Sequence, residues 1–323
     1  MTDPDAARFL ADLTRALGRA PAGVLGLAIS GGPDSMAMLA LAHEALDGRV
    51  AAATVNHGLR PEAAEEAMLV AARCAELGVP HATLLPDAPI EGANVQAQAR
   101  ERRYRLLARW AEGAGVEAVA TAHHADDQAE TFLMRAARGS GLAGLAGVRA
   151  CATIAGVLVV RPLLDWRRAE LRAIARRREM PFVDDPSNQD LRFDRARARK
   201  LLDDHEWLGP ANIARSAANL AEADGDMRAI VDWLWQARAS VQGDDVRVDA
   251  TDLPREVRRR LARRAVAEVR AAAGITEPEF TDATNVEALL DGLEGAKRVT
   301  QSGVLASVRD GRWRLRPAPP RRS

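Results

Sequence analysis

Short, dense apolar runs alternate with longer stretches in which apolar residues recur every three or four positions. The dense runs fall at 24–29 (VLGLAI), 50–55, 81–85 and 117–120. Runs of that length, bounded by turn residues, predict buried strands. The periodic stretches at 33–46, 61–77, 94–113 and 125–138 predict helices. Pro33 sits in the first turn of its helix, where a missing N–H is harmless. Gly78-Val79-Pro80 stops the next one. Four strand–helix alternations predict an α/β fold, a parallel sheet with helices on both faces. Ligands in such sheets bind at the carboxyl ends of the strands. Ser30, Asn56-His57 and His123-His124 all follow strands, so three segments converge on one edge.

Further along, 149–164 reads as a hairpin or extended excursion and 167–178 as a helix. PFVDDPSNQDLRFDR is a polar loop with turn chemistry, and another helix starts at 195. Beyond about 205 the pattern changes. Helices dominate (212–238, 254–273, 282–293), and short strand-like pieces, RVT, VLASVRD and RWRLRP, follow them. The change predicts a first domain over 1–207 and a smaller, mostly helical one over 208–323. In WLWQAR, Trp233 and Trp235 read as core packing rather than base stacking.

Length and composition fit this reading. A chain of 323 residues suits two domains, and 47% apolar with 28% charged residues is ordinary for a soluble protein. No apolar run approaches the roughly 20 residues needed to cross a bilayer. The N-terminus is acidic and then amphipathic, unlike a signal peptide, so no membrane association and a cytoplasmic location are expected. Cys74 and Cys151 lie far apart without a CxxC, which argues against a disulfide framework, a zinc knuckle or an iron–sulfur cluster. A net charge of zero predicts no nucleic-acid partner by itself. The charge distribution changes that picture. Residues 161–200 carry 12 basic against 7 acidic side chains, and ARERRYRLLARW carries five arginines. Two basic stretches beside a candidate phosphate loop point to a polyanionic substrate.

That loop is SGGPDS: Ser30, Gly31, Gly32, Pro33, Asp34 and Ser35. Its glycines let backbone approach an anion, and the helix it opens offers unpaired N–H groups. It lacks the lysine of a Walker loop. Asp34 would repel bare phosphate, so it makes sense as a ligand of Mg²⁺ bridging phosphate oxygens. Asn56 and His57, in TVNHGLRPEAAEEA, would lie beside the nucleotide. In TAHHADDQAETFLMR, Asp127 and Glu130 are three apart and share a helix face, where they could bind an ammonium group or a metal. His123 lies at the entrance of that helix and could move a proton near neutral pH.

SGGPDS resembles the loop of the ATP-pyrophosphatase superfamily, which cleaves ATP between the α- and β-phosphates. With NHGLRPEAAEEA, ARERRYR, TAHHADDQAETFLMR, RPLLDWRRAEL and DDPSNQDLRFDRARAR, the chain from about 24 to 202 resembles the tRNA(Ile)-lysidine synthetases. The resemblance implies the adenine nucleotide α-hydrolase-like PP-loop fold and a carbon–nitrogen ligase. Such enzymes adenylate O2 of the wobble cytidine in the isoleucine tRNA with a CAU anticodon. The ε-amine of free L-lysine then attacks C2 and displaces AMP, giving lysidine. By this resemblance Ser30, Gly31, Gly32, Pro33, Asp34, Ser35, Asn56 and His57 hold ATP, with Mg²⁺ on Asp34. Asp127 and Glu130 grip the lysine, and His123 assists activation. Arg195 first, or Arg199, stabilises charge on the α-phosphate or the substrate. Ala196 stands where the family commonly has asparagine, so the register among Arg195, Arg197 and Arg199 stays open, as does the choice between His123 and His124. Arg100, Arg102, Arg103 and Arg105 would contact the tRNA backbone, and the C-terminal region would read the tRNA. The oligomeric state stays open, a homodimer among the alternatives. A tRNA thiolase would need cysteines in the site loops, where this chain has none; a binding module without catalysis would not need Asp34, His123, Asp127 and Glu130 together.

Overall fold

Six strands form the sheet that carries the candidate loop: β1 (Leu25–Ala28), β2 (Val50–Val55), β3 (His81–Leu84), β4 (Ala118–Thr121), β5 (Cys151–Ile154) and β6 (Val157–Val160). The structure is a computed structural model and describes residues 3–58, 62–88, 95–184, 194–281 and 284–319. Strand order is β3-β2-β1-β4-β6-β5. The first five are mutually parallel, with Leu25 beside both Val50 and Ala118; β5 pairs antiparallel with β6 at the edge. The strand order reverses between β1 and β4, which opens a crevice at their carboxyl ends. The stretch 149–164 is therefore a hairpin whose second strand joins the parallel sheet.

Both sheet faces are covered, and residue alternation decides which side chain serves which face. Leu25, Leu27, Ala118 and Ala120 pack with Phe9, Leu13, Met36, Leu39 and Trp166. These come from α1 (Pro4–Leu17), α2 (Pro33–Ala45) and the turn before α7 (Arg168–Arg177). Ala53, Val119 and Val159 pack on the other side against Tyr104, Leu107 and Ala111 of α4 (Val95–Ala114). Gly26 is required there: a Cβ would stand 3.0 Å from both Trp110 and Val116. Trp166 is fully buried, and its indole N–H donates to Asp12 at 2.8 Å. Burying each large side chain contributes about 1.5–3 kcal/mol. The remaining helices here are α3 (Glu62–Glu76), α5 (Ala125–Ala136), α6 (Leu142–Leu145) and α8 (Asp194–Asp204).

The chain divides into two compact units, Met1–Ala221 and Glu222–Ser323. The division lies inside α9 (Pro210–Arg238), later than the 207/208 boundary expected from the pattern. The reason is local. Ala214 and Ala217 are buried, and Arg149 donates to the carbonyl of Ala221, so the first turns of α9 belong with the first unit.

The second unit holds α10 (Arg255–Ala272), α11 (Glu287–Glu294) and a five-stranded antiparallel sheet. Its strands are β7 (Ala239–Gln242), β8 (Asp245–Val248), β9 (Val299–Gln301), β10 (Val304–Arg309) and β11 (Arg312–Pro317), in the order β7-β8-β11-β10-β9. The expectation of a mostly helical region understated this sheet. Its core joins Val246, Val248 and Leu315 to Leu261, Val266 and Leu289. Trp235 packs into that core, whereas Trp233 is 67% exposed, so only one of the pair packs as expected.

Candidate functional site

The first unit carries a cleft of about 1290 Å³ at the carboxyl ends of β1, β2 and β4. One wall is the glycine loop. β1 ends at Ala28, and Gly31 takes a φ of +85°, a left-handed conformation open to glycine at little cost. Val183 N–H donates to the Gly31 carbonyl at 3.0 Å and fixes the turn. Ser35 O–H donates to the Gly32 carbonyl at 2.9 Å and accepts from Ser30 N–H at 3.2 Å. Gly32 caps α2 without a side-chain hydrogen bond, so the first-turn N–H groups face the cleft unclaimed by a cap. Asp34 stands in that first turn, and its Oδ1 is buried with no hydrogen-bond partner.

The second wall is the entrance of α5. His124 caps the helix: its Nδ1 accepts from the Asp127 N–H at 3.3 Å, and its own N–H donates to Asp127 Oδ2 at 3.1 Å. His124 Nε2 lies 3.4 Å from Asp34 Oδ2 and 3.5 Å from Asp127 Oδ2, which joins the two walls. Burial works against charge on His124, but the Asp34 and Asp127 carboxylates outweigh it and raise its pKa. His123 behaves oppositely. Desolvation pushes its pKa down to about 4 despite Asp127, so the ring is neutral, and its Nδ1 pairs with the Thr121 hydroxyl at 2.9 Å. His124 lines the main cleft; His123 lines a smaller adjoining cavity bounded also by Ser30, Asp34 and Arg195. Asp127 lines both. Burial disfavours its charge, yet the two histidines and Arg195 lower its pKa and keep it ionised.

The third wall is arginine, from α7 and α8. Arg167, Arg168, Arg195 and Arg199 all line the cleft. Asp126 holds Arg167 through Nε at 3.1 Å and Nη2 at 3.0 Å, and accepts from the Arg168 backbone N–H at 2.8 Å. Arg168 and Arg199 both donate to Glu130 Oε1, at 2.6 and 2.9 Å, and Arg195 Nε lies 3.3 Å from Oε2. Lys200 lies on the same wall, where its ammonium donates to Asp204 at 2.8 and 3.1 Å; that partner raises its pKa.

The structure gathers Ser30, Gly31, Gly32, Pro33, Asp34, His57, Asp127, Arg195 and Arg199 at one cleft. Other expected residues stand elsewhere. Asn56 lines neither cavity; its side chain accepts from Gly58 N–H at 2.9 Å and shapes a turn. Glu130 shares a helix with Asp127 but has no exposed surface and is engaged by arginines. Of the α4 arginines only Arg103 lines the cleft. Arg100 lies over the Tyr104 ring at 5.1 Å, Arg102 donates to the Ala88 carbonyl, and Arg105 pairs with Glu101. Arg167 and Arg168 were not singled out by sequence reasoning, although the doublet WRRAEL opens a helix and was the available signal. The DPSN turn lies outside the described residues.

Among the described residues, no group of three or more His, Cys, Asp or Glu side chains is arranged to hold a metal. Cys74, buried, has its pKa pushed up to about 11, and neither it nor Cys151 lines the cleft. No described helix is long and apolar enough to cross a membrane.

Comparison with known proteins agrees with this geometry. A family model described as a PP-loop domain matches residues 5–206. A tRNA(Ile)-lysidine synthase from Zymomonas mobilis is 41% identical over 304 residues, covering 93% of this chain and 90% of that protein. One from Novosphingobium aromaticivorans is 42% identical over 322 residues, 98% and 95% of the two chains. Among solved structures, a U34-tRNA thiolase from Methanococcus maripaludis superposes with a TM-score of 0.57 at 20% identity, over 68% of this chain and 79% of that one, a likeness of fold. The glycine loop, the acid–histidine entrance of α5 and this near-full-length similarity place the chain in the tRNA(Ile)-lysidine synthase family of PP-loop enzymes.

Proposed function

We propose that the chain ligates L-lysine to C2 of the wobble cytidine in the isoleucine tRNA with a CAU anticodon, using ATP through an adenylated cytidine. AMP and pyrophosphate leave. The product pairs with A instead of G and changes the tRNA's identity from methionine to isoleucine. The observation that carries this reading is the facing of two unlike walls: a glycine loop opening α2, and arginines from α7 and α8 across the same cleft.

The chemistry follows from those walls. Cytosine O2 is a poor leaving oxygen, and transfer of AMP to it makes it a good one. The Gly31–Gly32 backbone and first-turn N–H groups of α2 receive phosphate oxygens. Arg195 and Arg199 stabilise negative charge as the α–β phosphate bond breaks. The buried, unpartnered Oδ1 of Asp34 is a fitting donor that would hold Mg²⁺. There Mg²⁺ would supply positive charge that the loop, lacking lysine, does not. His57, with both ring nitrogens buried and without hydrogen-bond partners, faces the same cleft and suits the nucleotide.

Asp127 is ionised and open to the cleft, so it receives the lysine ammonium and orients the ε-amine. Lysine must lose a proton before attack. Neutral His123, in the adjoining cavity, assists the activation step. The second unit reads the tRNA, and the reaction takes place in the cytoplasm.

The test is incorporation of labelled lysine with ATP and Mg²⁺ into a CAU isoleucine tRNA transcript, with a CAU methionine tRNA as control. Lysine in the first alone is the expected result. Lysine in neither, with tRNA-dependent pyrophosphate still released, keeps the adenylation site and demands another nucleophile.

A further inference from the structure

We infer that Thr121 is a positioning residue for His123: its hydroxyl donates to Nδ1, so that the ring presents Nε2–H to the smaller cavity as a hydrogen-bond donor. The use His123 makes of that donor rests on the function proposed above; the tautomer does not.

The local chain explains the contact. β4 ends at Thr121, beside Ala28 of β1, and α5 starts at Ala125. In extended backbone, side chains two apart point to the same side. Thr121 and His123 therefore meet, with Thr121 Oγ1 2.9 Å from His123 Nδ1. His124, one residue on, spends both nitrogens. Its Nδ1 accepts from Asp127 N–H, and its Nε2 faces Asp34 and Asp127. His123 spends only Nδ1. Among the described residues its Nε2 has no hydrogen-bond partner, and the ring lines the smaller cavity.

The hydroxyl decides where the ring carries its proton. A threonine has one O–H donor and two acceptor lone pairs; a neutral imidazole has one donor and one acceptor. Thr121 is buried, and among the described residues its hydroxyl has no partner besides Nδ1. If it donates, the hydroxyl proton and the Nδ1 lone pair satisfy each other. If it accepts from Nδ1–H, a buried hydroxyl proton is left over, which is costly. The bond at one ring nitrogen sets the state of the other, so the proton of the neutral ring sits on Nε2. A carboxylate at position 121 would do the opposite, because a pure acceptor draws the proton to Nδ1.

The cavity shows what such a donor can do. Ser30, Gly32, Asp34 and Arg195 line it with His123. On the proposed function the phosphates stand at that loop. A neutral N–H held there donates to an oxygen that gains negative charge as AMP is transferred. No proton enters or leaves the ring.

Two measurements test this. In the ligand-free protein, ¹⁵N shifts of labelled histidine distinguish the two neutral tautomers, and His123→Ala identifies the His123 signals. Wild-type protein and Thr121→Ser should show the Nε2–H form; Thr121→Val should show a mixture. An Nδ1–H ring in the wild type overturns the inference. The second measurement is tRNA-dependent pyrophosphate release without lysine. Thr121→Val should slow it about 10-fold or more, and Thr121→Ser should recover most of the rate. In the His123→Ala background, Thr121→Val should cost no more than about twofold, because its effect runs through the ring. An equal loss in both backgrounds overturns the positioning role and leaves Thr121 as support for the end of β4. If Thr121→Val does not fold, the wild-type and Thr121→Ser spectra still decide the tautomer. Wild-type protein that incorporates no lysine defeats the proposed function instead, and the spectra, which need no substrate, stand apart from it.

Discussion

Two arginine-rich regions solve the same electrostatic problem in opposite ways. On α10, in the second unit, five arginines meet six carboxylates: Arg255 pairs with Glu287, Asp291 and Glu294, Arg258 with Glu294, Arg259 with Glu256 and Glu287, Arg260 with Glu256 and Asp224, and Arg264 with Asp232. On α7 and α8, in the first unit, three arginines converge on the single carboxylate of Glu130. The first arrangement spreads its charges over several pairs. The second gathers three guanidiniums on one buried carboxylate beside the cleft. In the sequence all three helices read as basic; only the arrangement of partners tells them apart.

The widest separation between the two regions should appear in rate. Arg199→Ala is expected to lower tRNA-dependent pyrophosphate release about 10²- to 10³-fold. Arg255→Ala, whose carboxylate partners Glu287, Asp291 and Glu294 all lie in its own unit, should leave it within about twofold. Initial rates at saturating ATP measure both, and equal losses would erase the distinction. The opposite wall of the cleft sharpens it. Asp34→Asn should raise the Mg²⁺ concentration for half-maximal pyrophosphate release about 10-fold or more. An unchanged Mg²⁺ dependence removes Asp34 from the metal.

A smaller effect concerns His123. Its folded pKa of about 4 lies below the ordinary 6.5. The neutral ring therefore contributes stability that is present above the ordinary value and is lost as pH falls from 6.5 through 4. Imidazole NMR should show His123 unchanged from pH 7 to 5, and a midpoint near 6.5 contradicts its desolvation. The smallest effect belongs to the region around α10. Glu287, beside Arg259 and Arg255, has its pKa lowered to about 2. Its stabilisation is present above about 4.5 and fades as pH falls towards 2. Glu287→Gln should lower the urea midpoint slightly at pH 7 and not at pH 2, because solvent screens an exposed pair. A difference that persists at pH 2 assigns the effect to packing.

What the sequence made legible was whatever is local. The strands at 25–28, 50–55 and 118–121 follow from short apolar runs, and the loop from SGGPDS, because strand, turn and helix start lie within a dozen positions. The α5 acids show the limit. Spacing puts Asp127 and Glu130 on one helix face, but the partners of Glu130 lie 38, 65 and 69 positions away, at Arg168, Arg195 and Arg199. No local pattern reports them. The same holds for His123 and His124, adjacent in sequence and opposite in pKa shift because desolvation dominates at one and two carboxylates outweigh it at the other. The β7–β8 hairpin was missed for another reason: only Val241, Val246 and Val248 mark it, directly after a long helical pattern.

Lys200 closes the account of the cleft. On the proposed function an incoming amine attacks an activated base, so the chain's own amines matter, and it has only two lysines, Lys200 and Lys297. Lys200 lies in the cleft, where both carboxylate oxygens of Asp204 hold it and raise its pKa. An ammonium has no lone pair to offer. The one turn of helix between Lys200 and Asp204 thereby ties the cleft's resident amine to a carboxylate of its own helix.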